Sequence, residues 1–327
     1  MKILITGSSG HLGEALMRVL QKREHELCGM DLVPSPFTTH VGSITDRDFV
    51  AACMNGVDAV LHTATLHKPH IVTHTRQDFI ETNITGTLIL LEEAVRANVK
   101  AFIYTSTTST FGAAMHPLKG EPAIWVTEQL RPIPKNIYGL TKTAAEELCE
   151  LFHRKYALPT LILKVARFFL EEDDDRKRRE AMEDENIKVL EFLNRRVDVE
   201  DIVQAHLLAM EKAATIGFSR YIISASSPFT MADLKKLQED ASAVLEQKYP
   251  TYKELFLAKR WKVFPSLGRV YVNEKARKEL GWNPKYDFGF ILQQLKEGKD
   301  FVSPLARSIG SKGYHDELFE DGPYPVR

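Results

Sequence analysis

A doubly wound α/β fold, one parallel sheet covered by helices on both faces, is predicted by three observations in the first half of the chain. Short β-branched runs alternate with longer segments of helical period. A glycine-rich turn follows the first run directly, and a carboxylate closes the second.

The runs are KILIT (2–6), ELCGM (26–30), DAVLH (58–62) and AFIYTS (101–106), each of the length and apolar character of a buried parallel strand. Between the first two, Leu12, Leu16, Val19 and Leu20 recur at helical spacing. A long helix is expected over 75–97, where Phe79, Ile80, Ile84, Leu88, Leu91 and Val95 fall on one stripe. Another begins near Tyr138 and runs through TKTAAEELCELFHRKYA, and LILKVARFF (161–169) follows as the sixth strand.

The turn TGSSGHLG (6–13) joins the first strand to the first helix. Gly7, Gly10 and Gly13 permit a tight turn, close approach of a pyrophosphate to backbone N–H groups, and close packing of helix on strand, while the helix dipole favours the phosphate charge. Asp31 lies 18 residues after Gly13, the distance at which a carboxylate accepts hydrogen bonds from the ribose hydroxyls of NAD. It would repel the 2′-phosphate of NADP, so NAD is the expected cofactor and the sheet is expected to be of the Rossmann type.

After residue 170 the composition changes. EEDDDRKRREAMEDEN (171–186) holds nine acids and four bases and reads as a solvated, mobile excursion, with a substrate lid as the lesser reading. Amphipathic helices are expected at 198–213 and 231–247 around the strand YIIS (221–224). The division expected is an NAD-binding domain over 1–170, a smaller, mixed substrate lobe over 171–298 with segments returning to the core, and a tail over 299–327 that docks by Tyr314, Phe319 and Tyr324.

A net charge of −1 with 44% hydrophobic and 27% charged residues gives no broad attraction for nucleic acid and no sign of disorder. Cys28, Cys53 and Cys149 are odd in number and far apart, which fits buried thiols in a reducing compartment. Glycine first appears at position 7, too soon for the apolar core of a signal peptide, and no apolar run approaches membrane-spanning length. The expectation is a soluble, cytoplasmic protein with a small-molecule substrate and no membrane or nucleic-acid partner.

YGLTK (138–142) places Tyr138 and Lys142 one helical turn apart, where an ammonium can favour the phenolate and make a proton-transfer pair. YTSTTSTFG (104–112) puts a cluster of hydroxyls at the carboxyl end of the AFIYTS strand, the edge where doubly wound sheets bind their ligands.

With TGSSGHLG, Asp31, HTAT (62–65), TNITGT (82–87), YTSTTSTFG, YGLTK and VDVEDI (197–202) in this order, the chain over about 1–215 resembles the extended short-chain dehydrogenase/reductases, the NAD-dependent epimerase/dehydratase family. The resemblance implies Tyr138 as catalytic base, Lys142 as its pKa modulator and a ligand of the nicotinamide ribose, and Thr107 as the third catalytic residue. It implies a cofactor site of Gly7, Gly10, His11, Leu12, Gly13, Asp31, Ser43, Ile44, His62, Ala64, Asn83, Thr105, Tyr138 and Lys142, with Asn83 supporting the site by hydrogen bonds. It also implies a homodimer joined through the two long helices. Ser43 stands where the family usually carries aspartate, Leu170 follows RFF where its sugar-nucleotide enzymes carry asparagine, and Asn194, beside Arg195 and Arg196, falls near their nucleotide-binding arginine. These departures and a short 170–197 stretch leave the oxidoreductase core intact but question a nucleotide sugar as substrate.

The leading functional reading is an NAD-dependent epimerase, or dehydratase-like oxidoreductase, working on a sugar or sugar nucleotide through a transient ketone. An NAD-dependent sugar or alcohol dehydrogenase and a non-catalytic NAD-binding regulator are the alternatives. The stretch LHTATLHKPHIVTHT (61–75), with His62, His67, His70 and His74, invites a metal reading, but a loop broken by Pro69 gives no convergent ligand set and no metal is expected. His67 and His70, with Thr107, Arg167 and Arg195, are instead candidate substrate contacts, and the loop is either a basic wall for substrate or simply solvated.

Overall fold

The computed structural model describes residues 1–313 together with Glu317 and Phe319. Of the tail aromatics expected to dock, Tyr314 and Tyr324 lie outside the described residues and Phe319 is half-buried. The strands are β1 (Lys2–Thr6), β2 (Glu26–Asp31), β3 (His40–Val41), β4 (Ala59–His62), β5 (Ala101–Thr107), β6 (Ile124–Val126), β7 (Thr160–Val165), β8 (Phe218–Ile223) and β9 (Arg269–Tyr271). Among the described residues, seven form one sheet in the order β3-β2-β1-β4-β5-β7-β8, and every pairing is parallel. The strand order reverses between β1 and β4, so the crevice at their carboxyl ends is where such a sheet takes its ligands.

Alternation along each strand sorts side chains to the two faces. Ile3, Ile5, Leu61, Ile103, Leu161 and Leu163 join one core with helices α1 (His11–Leu20) and α8 (Val199–Ile216). Leu4, Val60, Phe102, Tyr104 and Ile162 join the other, against α2 (Arg47–Cys53), α4 (Gly86–Arg96) and α5 (Ile137–Tyr156). Cys28, Cys53 and Cys149 are buried free thiols in the second core.

The stripe over 75–97 forms α3 (Arg76–Ile80) and α4, joined without a break by a π-helical turn over Glu81–Thr85. Asn136 caps α5 through the Gly139 N–H at 3.0 Å. The expected strand 161–169 stops at Val165, because residues 166–169 leave the sheet and Arg167 bridges to Arg196 instead.

The acidic stretch is also ordered differently from expectation. It runs along the cleft and continues into α6 (Arg176–Ala181) and α7 (Asp184–Glu191); Glu171, Asp173 and Asp174 pair with His11, Arg167 and Lys68, whereas Glu172, Asp175, Glu180, Glu183 and Asp184 are solvated as expected. The 231–247 helix divides at Asp240 into α9 (Leu234–Glu239) and α10 (Ala241–Lys248), because the Asp240 carboxylate caps the second piece through the Ala243 N–H.

Further helices are α11 (Tyr252–Ala258), α12 (Glu274–Leu280), α13 (Phe288–Lys296) and α14 (Pro304–Ile309). The VDVEDI segment ties them to the core. Asp198 caps α8 and accepts from the Ser303 N–H at 2.9 Å, while Asp201 accepts from the Lys285 and Tyr286 N–H groups. The pairing of β6 with β9 links the carboxyl-terminal part to residues 124–126. No helix among the described residues is long and apolar enough to cross a membrane.

Candidate active site

One cleft of about 1860 Å³ runs along the carboxyl edge of the sheet. At one end is the glycine turn. Gly7 has φ +72°, and a Cβ there would lie 2.8 Å from the Ala64 nitrogen. A Cβ on Gly13 would lie 1.9 Å from the Gly7 oxygen, so the start of α1 rests on the turn backbone. Asp31 accepts from the Ser9 N–H at 2.9 Å and the Val33 N–H at 3.0 Å, fixing its carboxylate beside the turn. Gly10, Leu12, Ser43, Ile44 and Ala64 line the same end, with Ile44 packed where a side chain on Gly86 would collide.

His11 lines the cleft but pairs with Glu171, Nε2 to Oε1 at 2.6 Å. Burial by itself would raise the Glu171 carboxyl; the bond and charge of His11 and the Lys312 N–H hold it at about 2.

His62 and Asn83 do not line the cleft; they hold it from behind. The Thr6 hydroxyl oxygen accepts from the Thr63 and Ala64 N–H groups, so it donates to His62 Nδ1 at 2.7 Å. His62 Nε2–H then donates to Thr87, whose hydroxyl donates to the Asn83 carbonyl. Burial and the charge of Lys142 keep this imidazole neutral, well below its ordinary pKa. Asn83, in the π turn, uses its whole amide: Oδ1 accepts from Leu66 N–H and the Thr65 hydroxyl, and Nδ2 donates to the Leu66 carbonyl and to Thr141. It therefore clamps the 65–66 loop to α5 at Thr141. A π turn supplies the extra residue that aims this side chain inward.

Thr105, Thr107, Tyr138 and Lys142 meet at the centre of the cleft. Thr107 lines the cleft beside Tyr138 and caps the turn after β5 through the Ser109 N–H. Lys142 Nζ donates to the Thr105 carbonyl at 2.7 Å and lies 4.1 Å from the centre of the Tyr104 ring. Burial brings Lys142 down to about 7 against the opposing pull of Glu146. Burial pushes Tyr138 up to about 12, with the Thr107 hydroxyl acting the other way. The expected lowering of Tyr138 by Lys142 is not what this geometry produces, because the loss of hydration dominates both groups.

Beneath the pair, Lys164 binds both Glu146 oxygens at 2.6 Å and Thr110 at 3.0 Å, and Ser106 donates to Glu146. His206 of α8 donates from Nδ1 to the Ile202 carbonyl, so its Nε2 accepts from the Thr105 hydroxyl at 2.8 Å. Burial lowers His206 to about 4 and leaves it a neutral acceptor.

The far end is ionic. His67 and His70 line it, the His67 N–H donating to His70 Nδ1 at 2.8 Å, and the His67 ring lies 6.0 Å from that of Tyr138. Burial, with His70, Lys142 and His11 nearby, drives His67 well below the usual histidine range, so it is not the cation of a basic wall. The positive charge there comes from Lys68, Arg167 and Arg195, which line the cleft with Asp173 and Asp174. Among the described residues no three His, Cys, Asp or Glu side chains converge on a metal position.

The family model of the NAD dependent epimerase/dehydratase family matches residues 3–223, a span that includes every strand of the large sheet. The chain belongs to this family. A 3-beta-hydroxysteroid dehydrogenase of Mycolicibacterium neoaurum is 30% identical over 156 residues, 45% of this chain and 42% of the relative, so the match spans under half of that protein. A 3 beta-hydroxysteroid dehydrogenase/Delta 5→4-isomerase of Mycobacterium tuberculosis is 25% identical over 327 residues, covering 87% of this chain and 86% of the relative. A short-chain dehydrogenase/reductase superfamily protein from Agrobacterium tumefaciens, solved with bound NAD, superposes with TM-score 0.65 at 21% identity, covering 94% of this chain and 97% of that one. That likeness supports the fold.

Sequence reasoning missed Glu146, Glu171, Glu191 and His206. Lys164, the one charged residue in the apolar run LILKV, was the available signal for a buried partner.

Proposed function

We propose that the protein interconverts a secondary alcohol and its ketone with NAD, and that the ketone is re-reduced on its other face to give an epimer. The observation that supports this most is the meeting of Thr107, Tyr138 and Lys142 in the same cleft as the glycine turn and Asp31.

The cradle suits the cofactor, since Gly7 and Gly13 occupy positions that a Cβ would fill with backbone collisions. In this reading Gly7, Gly10, His11, Leu12 and Gly13 hold the pyrophosphate, and Asp31 holds the adenosine ribose. Ser43 and Ile44 flank the adenine, Ala64 and Thr105 line the path onward, and Tyr138 and Lys142 hold the nicotinamide ribose. His62 and Asn83 support this groove from behind. When bound, NAD supplies the hydride acceptor and donor.

Thr107 hydrogen-bonds the substrate hydroxyl and Tyr138 moves its proton. With a pKa of about 12, Tyr138 is protonated at neutral pH, which suits donation to the ketone oxygen in the reductive direction. In the oxidative direction it must first ionise, so the oxidation rate rises with pH through the alkaline range.

A second reading, net oxidation with release of NADH, is favoured by the dehydrogenase names of the two curated relatives. The ionic far end suits a polar substrate better than a steroid. Incubation with a panel of hydroxylated sugars and alcohols separates the readings: epimers without net NADH absorbance support the first, accumulating NADH the second. For either, Tyr138→Phe removes turnover by at least about 100-fold with NAD affinity unchanged; full activity in that variant would refute the assignment. We also infer a homodimer through α3, α4 and α5, which leave Ile80, Leu140 and Leu151 exposed. A monomer by light scattering would refute it.

A further inference from the structure

The far end of the cleft is a cation site whose counter-ions come from two places. Arg167 follows β7 and Arg195 precedes α8; the two are brought together by the Arg167–Arg196 bridge, with the Arg167 N–H on the Arg195 carbonyl at 3.3 Å and the Val197 N–H on the Arg167 carbonyl at 3.1 Å. Beneath them Glu191 of α7, fully buried, pairs with Arg195 and Arg196 and lies 3.8 Å from Arg167 Nε. The other counter-ions belong to the strap between β7 and α6. Asp173 Oδ2 lies 3.3 Å from Arg167 Nη1 and 3.4 Å from Arg195 Nη2. Asp174 Oδ1 lies 3.2 Å from Arg167 Nη1, and its other oxygen pairs with Lys68.

Four cations, Lys68, Arg167, Arg195 and Arg196, thus face three carboxylates, and two of those three are on the strap. Arg178, paired with Asp175, stands beside Arg195 and Asp173. With Glu191 alone the partly buried site would carry an excess of positive charge, which is costly without a partner. The strap is pinned at both ends, at Glu171 by His11 and at Asp175 by its cap on α6. Between the pins Arg167 and Arg179 also hold the Glu172 and Asp173 carbonyls and the Asp175 N–H binds Asp173 Oδ1, so what can exchange is the pairing of the Asp173 and Asp174 carboxylates with the cations.

We propose that Asp173 and Asp174 are an internal stand-in for an anionic group of the substrate, a carboxylate or a phosphate, which takes their place on Arg167, Arg195 and Lys68. The strap is then the specificity device of the site. An anion compensates the cations when the aspartates leave, whereas a neutral ligand cannot and so does not open it. Because the strap competes for the site, removing its charge raises apparent anion affinity by the reciprocal of the open fraction.

The inference rests on the alcohol–ketone reading only for the identity of the ligand as substrate, so its test reads binding and not turnover. Glucuronate, UDP, inorganic phosphate and glucose are titrated calorimetrically into the full-length NAD-loaded protein carrying Tyr138→Phe, with and without Asp173→Asn/Asp174→Asn. The expected result is binding of glucuronate or of the phosphates but not of glucose, tightened by about tenfold or more in the Asn variant and lost in Arg167→Gln/Arg195→Gln. Glucuronate alone identifies a carboxylate as the anion, and UDP or phosphate alone a phosphate. Should the double Asn variant fold poorly, Asp174→Asn alone is used, and the same anions are expected to raise its melting temperature while glucose does not. Unchanged anion affinity in the Asn variants, glucose binding as tight as the anions, or no anion binding in either protein overturns the proposal. Failure of the Tyr138 assignment would leave these titrations unaffected.

Discussion

The two ends of the cleft are built on different principles. The glycine-turn end is almost uncharged and made of backbone: glycines at contact distance, a helix start, one carboxylate held by N–H groups, and an imidazole and an amide with their hydrogen bonds satisfied behind it. The far end is a cluster of ion pairs drawn from four separate stretches, 68, 167–174, 191 and 195–196. One end is built from backbone geometry and the other from long-range charge pairing.

That contrast can be broken first at the junction of the ends. Lys142→Met should reduce turnover by at least about 100-fold while stabilising the fold. The Lys142 pKa is about 7 in the folded state and near 10.4 unfolded, so between those values the unfolded chain binds a proton the folded one does not. Wild-type stability therefore falls as pH is lowered from about 10 to 7 and levels off below. In the variant this slope disappears and the melting temperature at pH 7 rises by about 2 °C or more. A variant less stable than wild type at pH 7 would show that Lys142 is not strained by burial.

At the glycine-turn end, Gly13→Ala places a methyl 1.9 Å from the Gly7 oxygen, and calorimetry should find NAD affinity weakened by at least about tenfold with a lowered melting temperature. Asp31→Ala should cost about tenfold in NAD affinity and narrow the preference over NADP, measured by titrating both; an unchanged NAD/NADP ratio would remove Asp31 from the ribose. The smallest effect is expected at His206, a positioning residue that acts through Thr105. His206→Ala should lower kcat by about three- to tenfold with substrate KM nearly unchanged, and His206→Gln should recover part of it. Equal losses in both variants, tracking the melting temperature, would indicate a purely structural role.

Legibility in the sequence followed the same divide. The strand runs, the glycine turn, Asp31 and the Tyr138/Lys142 spacing are local patterns, and the structure brings them to one sheet edge as the periodicity demands. Thr107 and Asn83 came from the family resemblance, and only coordinates reveal that Asn83 works from a π turn. What escaped depends on sequence-distant partners. The run 171–175 reads as a solvated acidic excursion until Arg167, Arg195 and His11 stand opposite it. His67 reads as basic until its surroundings are known.

The most direct measurement follows deuterium placed on the carbinol carbon of whichever panel member reacts. The account predicts that the label stays on carbon, appearing in the reduced cofactor or returning to the product, with transfer suppressed in Tyr138→Phe. Washout of the label into solvent water at the rate of turnover would mean that the carbon loses a proton instead of a hydride, and would contradict it.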